Sequence, residues 1–494
     1  MLREKKMGIN AILNVLRQCL SIIFPIITYP YALRTLGVTN IGKVNYTGSI
    51  IGYFSLIAML GVSNYAIREG AKIKGNKEKF EKFVAEIFTI NIISTVISYI
   101  LLIITLACAE NLRSYAILLL IQSATILFDT LKVDWVNNVF EDFFYITIRS
   151  IIIYFITIIF LFVFIRNEND YYLYALMSTV TNAIISMMNW VYCKKYVHIK
   201  MTLHPNIRLH LKPIMTLFAN AIAISVYVNI DTTMLGWMQG DYSVGIYSTA
   251  VKIYSIVKNI LVSIYAVAVP RLSLYVGTND WKTYKKINSK LWGIMSLILV
   301  PAGIGLISLS DEIMLIMGGK EFADSAVVLQ ILSIALIFAI FGGLVTACMN
   351  ITLSREKHTL NATIVGAALN LGLNFLMIPL FAQNGAAITT VLAEAVVFMF
   401  SFISIPNKDK YLDFKKIRQS FLNSCLGGAI IVIVTALLKG CITNSFIRII
   451  LIIISSITLY GIVLVIRQDI YFSGLIRPLM KRIKKVGRES KDEK

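Results

Sequence analysis

Two stretches decide the fold: GVTNIGKVNYTGSIIGYFSLIAMLGVSNYAIR at residues 37–68 and GDYSVGIYSTAVKIYSIVKNILVSIYAVAVPR at residues 240–271. Each opens on a Gly-x4-Gly pair, continues through a mostly apolar run and closes on an arginine. A helix needs about 20 such residues to cross the roughly 30 Å hydrocarbon core of a bilayer. A shift of 203 residues lays Gly37 on Gly240, Gly42 on Gly245, Ile50 on Ile253, Ile57 on Ile260 and Arg68 on Arg271. Six predicted helices separate the equivalents, so both halves have the same orientation. Parallel repeats about an axis along the membrane normal are a transporter architecture.

Composition agrees. The chain has 494 residues, 57% of them hydrophobic and 15% charged, with a mean hydropathy of +0.74. Ordinary soluble domains carry about 25% charged residues. The net charge of +20 comes in short bursts between apolar stretches. That is membrane topology and not a nucleic-acid-binding domain. The pattern predicts an all-α integral membrane protein of about fourteen transmembrane helices. They fall near 11–33, 44–67, 83–107, 114–132, 146–165, 171–193, 213–236, 245–269, 291–309, 325–348, 360–380, 385–404, 421–438 and 447–466. The fourth and fifth have the least distinct ends, where Asp129, Asp134, Glu141 and Asp142 lie.

Most of the 47 Lys and Arg residues fall in alternate inter-helix segments. By the positive-inside rule this implies an even number of crossings with both termini cytoplasmic. Missing one helix would invert every later loop and destroy the asymmetry. Arg3, Lys5 and Lys6 precede an apolar run as in a signal peptide, but the run contains Arg17, Pro25 and Pro30 and has no cleavage site, so it reads as the first membrane helix. The repeat divides the chain into a six-helix lobe at 1–212, a second at 213–405, and an appended pair of helices with a basic tail at 406–494. The loops are too short for a separate soluble domain. The six cysteines contain no C-x-x-C pair and, apart from Cys441 and with Cys108 at a stretch's end, read as thiols in apolar surroundings.

Ionisable groups inside a bilayer cost about 2.5–3.5 kcal/mol each on insertion scales. Arg17, Asp231, Lys252, Lys258 and Glu394 lie well inside predicted helices. They must therefore face one another or a wet cavity. Polar stripes accompany them at helical spacing. The first helix carries Asn10, Asn14, Arg17, Ser21 and Thr28; the seventh, Thr216, Asn220, Tyr227 and Asp231. The eighth carries Ser248, Lys252, Ser255 and Asn259 on one face and Tyr247, Tyr254, Lys258 and Tyr265 on another. Helix 12 places Thr390, Glu394 and Ser401 together, and helix 11 has Asn370 and Asn374 one turn apart. Interhelical hydrogen bonding is the alternative role for the uncharged members. A pairing of Arg17 with Asp231 or Glu394 is open. Three deep bases against two acids, with Asp129 near an inner helix end, make a mildly cationic cavity suited to an anion. Arginine binds phosphate in bidentate fashion, and Arg68 and Arg271 at the inner ends of helices 2 and 8 would meet a phosphate headgroup or anchor in the lipid surface. The candidate substrate residues are thus Arg17, Asn14, Asn220, Lys252, Lys258, Asn259, Arg68 and Arg271. Asp231, Glu394 and Asp129 are candidates for coupling to H+ or Na+. No Walker A sequence, H-E-x-x-H or G-x-S-x-G motif and no metal-ligand cluster occurs in the sequence.

The chain resembles the polysaccharide repeat-unit flippases (Wzx-like) of the MOP superfamily, which also holds the MATE drug exporters and the lipid II flippases. Three stretches carry the resemblance. The first has Arg17, Tyr29-Pro30-Tyr31, Leu36-Gly37, Gly42 and Tyr65-Ala66-Ile67-Arg68-Glu69. The second runs from Asp134-Trp135 through Glu141-Asp142-Phe143 to Arg149, with Asn137, Asn138 and Val139 in place of the family's usual Phe-Gln-Gly. The third comprises Asp231, Gly245-Ile246-Tyr247, Gly319-Lys320-Glu321-Phe322, and Asn374 through Pro379 and Gly385 to Glu394. The resemblance implies a MOP/MATE-like fold: two six-helix bundles around a V-shaped cavity plus two C-terminal helices. It also implies a flippase of the bacterial cytoplasmic membrane, with no cofactor, moving an oligosaccharide on undecaprenyl pyrophosphate to the outer leaflet for capsule, O-antigen or exopolysaccharide assembly. Membrane lipids, and a polysaccharide polymerase with its assembly proteins, would be its partners. Export of a teichoic-acid or other lipid-linked glycan is an alternative. A MATE-like drug exporter would need a more acidic cavity, and a membrane-embedded polymerase a large outer loop.

Overall fold

The computed structural model describes the backbone of residues 2–474 and the side chains of residues 20–474 except Ile22 and Asn220. Arg17, Asn14 and Asn220 therefore lie outside the residues whose side chains are described. The described chain is helical with no strand among the described residues. Its helices are α1 (Leu2–Met59), α2 (Val62–Ile73), α3 (Lys77–Cys108), α4 (Ala116–Leu131), α5 (Asp134–Val139), α6 (Phe143–Phe164), α7 (Tyr171–Cys193) and α8 (Ile207–Met238). After these come α9 (Asp241–Ala266), α10 (Val269–Gly277), α11 (Trp281–Ser308), α12 (Ser310–Gly318), α13 (Ser325–Leu344), α14 (Glu356–Ile403), α15 (Phe414–Cys441) and α16 (Ser445–Ile466).

Eleven helical stretches among the described residues are long and apolar enough to cross a membrane. Two of them are too long for one crossing. Ile23–Ile73 and Glu356–Ile403 hold 51 and 48 residues. At 1.5 Å per residue each would exceed 70 Å if straight, roughly twice the hydrocarbon thickness. The first is broken at Gly37 (φ 74°, ψ 169°) and again at Leu60–Gly61, the second at Ala382 (φ 45°, ψ −127°). Each therefore contains two of the predicted spans. With α7, whose Tyr, Asn, Ser and Thr residues lower its hydropathy, all fourteen predicted segments are helical. The boundaries differ at the ends: α11 begins at Trp281, ten residues before its predicted start, on an Asp280 cap. Of the short helices, α2, α5 and α10 end three of the spanning stretches, and α12 lies outside them.

The packing suits a lipid solvent. Leu120, Phe155 and Ile457 are each more than 60% exposed, while Asn137, Asn189, Asn288 and Asn374 are fully buried. Without a hydrophobic drive between helices, close packing and polar contacts hold them together. Cys193 and Cys348 are buried free thiols, whereas Cys425 is exposed on α15.

The chain forms two compact units: Met1–Ser248 with Asn374–Gln383, and Thr249–Leu373 with Asn384–Lys494. In the first, α3 is hydrogen-bonded to α1 one turn apart, Ser94 Oγ to the Ala58 carbonyl (2.6 Å) and Ser98 Oγ to that of Phe54 (2.7 Å). Thr95 meets Thr130 of α4 at 2.7 Å, and Ser186 of α7 donates to the Phe128 carbonyl at 2.6 Å. In the second unit α11 packs most extensively on α15, and α15 on α16. Bare glycines make room for large side chains there: Gly293 for the Tyr471 ring, Gly427 for that of Tyr460 and Gly428 for Ile304.

Candidate functional site

The two glycine pairs of the repeat have divided their work. Gly37 and Gly240 hold positive φ (74° and 84°) where the helix breaks, a conformation glycine adopts without steric cost. Gly42 and Gly245 instead allow a close approach. A Cβ on Gly42 would collide with the Asp241 carbonyl, and one on Gly245 with the Val38 carbonyl. Val38 and Asp241 are also 203 residues apart. Each repeat therefore touches the other through the same position, as across a two-fold axis. Asn45 Nδ2 donates to Ser248 Oγ at 2.8 Å, again across 203 residues. The repeat inferred from five identities is thus a physical pseudo-two-fold contact.

Beyond this contact the hairpin of α8 and α9 carries most of the deep charge. Asp231 is buried and accepts from Tyr247 Oη and Asn374 Nδ2, both at 2.6 Å. Along α9 the Tyr247–Tyr254–Tyr265 face is buried. Lys258, on that face, donates to Glu394 Oε1 at 2.9 Å and to Tyr254 Oη at 3.3 Å. The expectation that buried charges face one another holds for this pair, 136 residues apart. The other face of α9 is open: Lys252 and Asn259 are exposed and Ser255 is half-buried. Arg68 is exposed, pairs with Glu69 at 2.9 Å and lies over the Tyr65 ring. Arg271 is exposed at the start of α10. Asp129 lines a small cavity of about 190 Å³ with Asn91, Thr130 and Asp134. Asn370 of α14 contacts Thr389.

Three polar groupings, buried or partly buried, lie outside the candidates read from sequence. Tyr65 Oη bonds His210 Nδ1 at 2.8 Å, and His210 Nε2 bonds Glu86 Oε2 at 2.9 Å. This chain of three ties α2, α3 and α8. Arg149 grips Asp134 through two nitrogens (2.8 and 3.2 Å), bracing α5 against α6. Asp142 accepts from both Tyr192 Oη and Tyr196 Oη at 2.6 Å. Burial works to raise its pKa, but these hydroxyls, the Tyr145 amide and Lys195 together hold it below its ordinary value. Among the described residues no cluster of three His, Cys, Asp or Glu is placed to hold a metal ion.

These features describe an all-helical membrane protein whose two repeats meet through paired glycines, and its fold is that of MOP-superfamily proteins. A likeness to solved structures supports that fold. The chain matches the lipid II flippase MurJ in its inward closed conformation with a TM-score of 0.72 at 17% identity, covering 95% of this chain and all of that one. It matches an inward-facing MATE-family multidrug transporter of the MOP superfamily with a TM-score of 0.61 at 16% identity, over 79% of this chain and 96% of that one. The chain belongs to the polysaccharide biosynthesis protein family, whose model matches residues 7–276. The MatE model matches residues 217–376. Among curated proteins it is 23% identical to the Escherichia coli K12 protein named "Putative O-antigen transporter", over 81% of this chain and 96% of that one. It is 26% identical to the capsular polysaccharide biosynthesis protein CapF of Staphylococcus aureus, over 51% of this chain and 63% of that one.

Proposed function

We propose that this protein is a flippase that carries lipid-linked oligosaccharide repeat units across the bacterial cytoplasmic membrane for surface-polysaccharide assembly. It is a transporter and not an enzyme. The observation that carries the reading is family membership, joined to a likeness that spans nearly the whole length of an O-antigen transporter. The Lys/Arg-rich side is taken as cytoplasmic, which places both termini inside. Repeat units linked to undecaprenyl pyrophosphate are the cargo, and a polymerase that extends them is the downstream partner.

In this reading the open face of α9 receives the anion. Lys252, with Asn259 beside it, meets the pyrophosphate together with Arg17, Asn14 and Asn220, while Arg68 and Arg271 gather headgroups at the inner surface. Lys258 is held by Glu394 and supplies a compensated charge. Asp231 is the group best placed to couple transport to H+ or Na+, because its bonds to Tyr247 and Asn374 change with its charge; Glu394 and Asp129 are the further candidates. The working lobes are residues 1–212 and 213–405, with 406–494 appended. The test is deletion of the gene. Lipid-linked repeat units should accumulate on the cytoplasmic side, and the wild-type chain and Lys252→Arg should clear them better than Lys252→Ala. Normal surface glycan in the deletion strain would refute the reading. The MatE match favours a second reading, export of small cations; drug sensitivity with unchanged glycan in that strain would select it.

A further inference from the structure

Two neighbouring cavities lie within the second unit. The first, of about 440 Å³, is lined by Lys282, Lys285, Lys286, Lys290 and Lys416, with Asp413 the one carboxylate. The second, of about 670 Å³, is an apolar groove that includes Ile294, Leu297 and Ile298 of α11, Gly461 and Leu464 of α16, and Phe472. They follow one another along α11. In steps of three or four residues one face of that helix runs Lys282, Lys286, Lys290, Ile294, Leu297. Along α11 a lysine-lined cavity is thus followed by an apolar groove.

The lysines are badly placed for stability alone. Lys282, Lys285 and Lys286 occupy the first two turns of α11, where the helix dipole is positive and favours anions. Like charges at i, i+4 destabilise a helix by about 0.2–0.5 kcal/mol per pair. Lys416 pairs with Asp413 at 2.8 Å, and Lys285 is bound to the Asp409 carbonyl at 2.6 Å. Lys286 and Lys290 form no ion pair among the described residues. A second, independent feature points into the same space. The Tyr471 side chain lines the first cavity, is 93% buried, and has no hydrogen-bond partner for its hydroxyl. It is held there on purpose-built supports. Asp469, fully buried, accepts from Ser420 and Asn423 of α15 and from the Tyr471 and Phe472 amides, capping the helical segment that starts at residue 470. Gly293 leaves room for the ring.

We propose that this junction of α11, α15 and α16 is a binding site for an anionic phospholipid of the surrounding leaflet. The phosphate sits among Lys282, Lys286 and Lys290 and accepts from Tyr471, and an acyl chain lies in the groove that Phe472 and Gly461 line. Scattered surface lysines would attract anionic lipids without selecting one position; the unpartnered hydroxyl and the groove give this site a geometry. The site is independent of the cargo-handling residues of α9 and does not rest on the flippase reading.

The test is native mass spectrometry of the full-length protein equilibrated with mixtures of phosphatidylglycerol and phosphatidylcholine. The wild type should retain phosphatidylglycerol preferentially, by fivefold or more. Lys286→Gln with Lys290→Gln should abolish the preference, and Lys286→Arg with Lys290→Arg should keep it. Tyr471→Phe should weaken it, and Gly461→Trp, which fills the groove, should lower retention of both lipids. Inorganic phosphate at millimolar concentration should not compete. The lysines are exposed or half-buried, so their variants should fold, which an unchanged melting temperature verifies. Equal retention of the two lipids by the wild type, or an unchanged preference in the Gln variant, would overturn the proposal. Competition by inorganic phosphate equal to that by the lipid would overturn it in favour of a free-anion site.

Discussion

The two repeats share a backbone device and differ in chemistry. Gly37 and Gly240 break the helix, and Gly42 and Gly245 meet across the pseudo-axis, in the same way in both. The side chains further along do not match. Thr28, Ser49 and Ser55 stand in the first repeat where Asp231, Lys252 and Lys258 stand in the second. Thr28 donates to the Phe24 carbonyl at 2.9 Å; Ser49 donates to that of Tyr46 at 2.7 Å and meets Thr233 Oγ1 of α8 at 2.9 Å. The charges of the second repeat need stronger partners than single hydroxyls and carbonyls. Asp231 draws donors from Tyr247 and Asn374, and Lys258 reaches Glu394. At these three positions the first repeat carries hydroxyls, and the second concentrates groups whose burial must be compensated.

Breaking that compensation should have the largest effect. Lys258→Ala leaves the buried Glu394 unpaired and should destabilise the protein by about 3–5 kcal/mol. Lys258→Met with Glu394→Leu should restore most of the loss, measured by chemical or thermal unfolding in detergent. Asp231→Ala removes the acceptor shared by Tyr247 and Asn374 and should cost about 1–3 kcal/mol. Its repeat equivalent, Thr28→Val, should cost less than about 1 kcal/mol. If the two cost the same, the division of labour is wrong. Gly42→Ala and Gly245→Ala should each cost about 1–3 kcal/mol by overpacking against backbone. Because they meet the same contact, the double variant should cost less than their sum.

The smallest effect concerns Asp142 and is read in pH. Its folded pKa lies below its ordinary value, so its stabilisation is present above the unfolded pKa, about 3.9. It is lost as pH falls through the folded value. Asp142→Asn should melt below the wild type at pH 7, and the two melting temperatures should converge below about pH 4.

Much of the architecture was legible because a bilayer imposes simple rules. Apolar runs of fixed length, with Lys and Arg in alternate loops, marked fourteen segments before any contact was known. The break at Gly37 was legible as a turn, but the role of Gly42 was not: its partner is 199 residues away at Asp241, and nothing local distinguishes a packing glycine from a turning one. The short helices α5, α10 and α12 span nine residues or fewer and present too few turns for a periodicity. The buried charges on α8, α9 and α14 stood out against hydropathy. Their pairing did not, since Lys258 had Glu394 as one of several carboxylates within reach on paper. His210 and Glu86 were missed because they lie near helix ends, where a charged residue is unremarkable until its burial is known.

The flippase reading is tested most directly in proteoliposomes. The full chain is reconstituted with a pyrophosphate-linked oligosaccharide lipid, and the fraction reaching the outer leaflet is read by an impermeant glycan-cleaving enzyme. The account predicts protein-dependent translocation that Lys252→Ala reduces by at least tenfold and Lys252→Arg largely retains. Translocation no faster than in protein-free vesicles, across every glycan lipid and ion gradient applied, would contradict it.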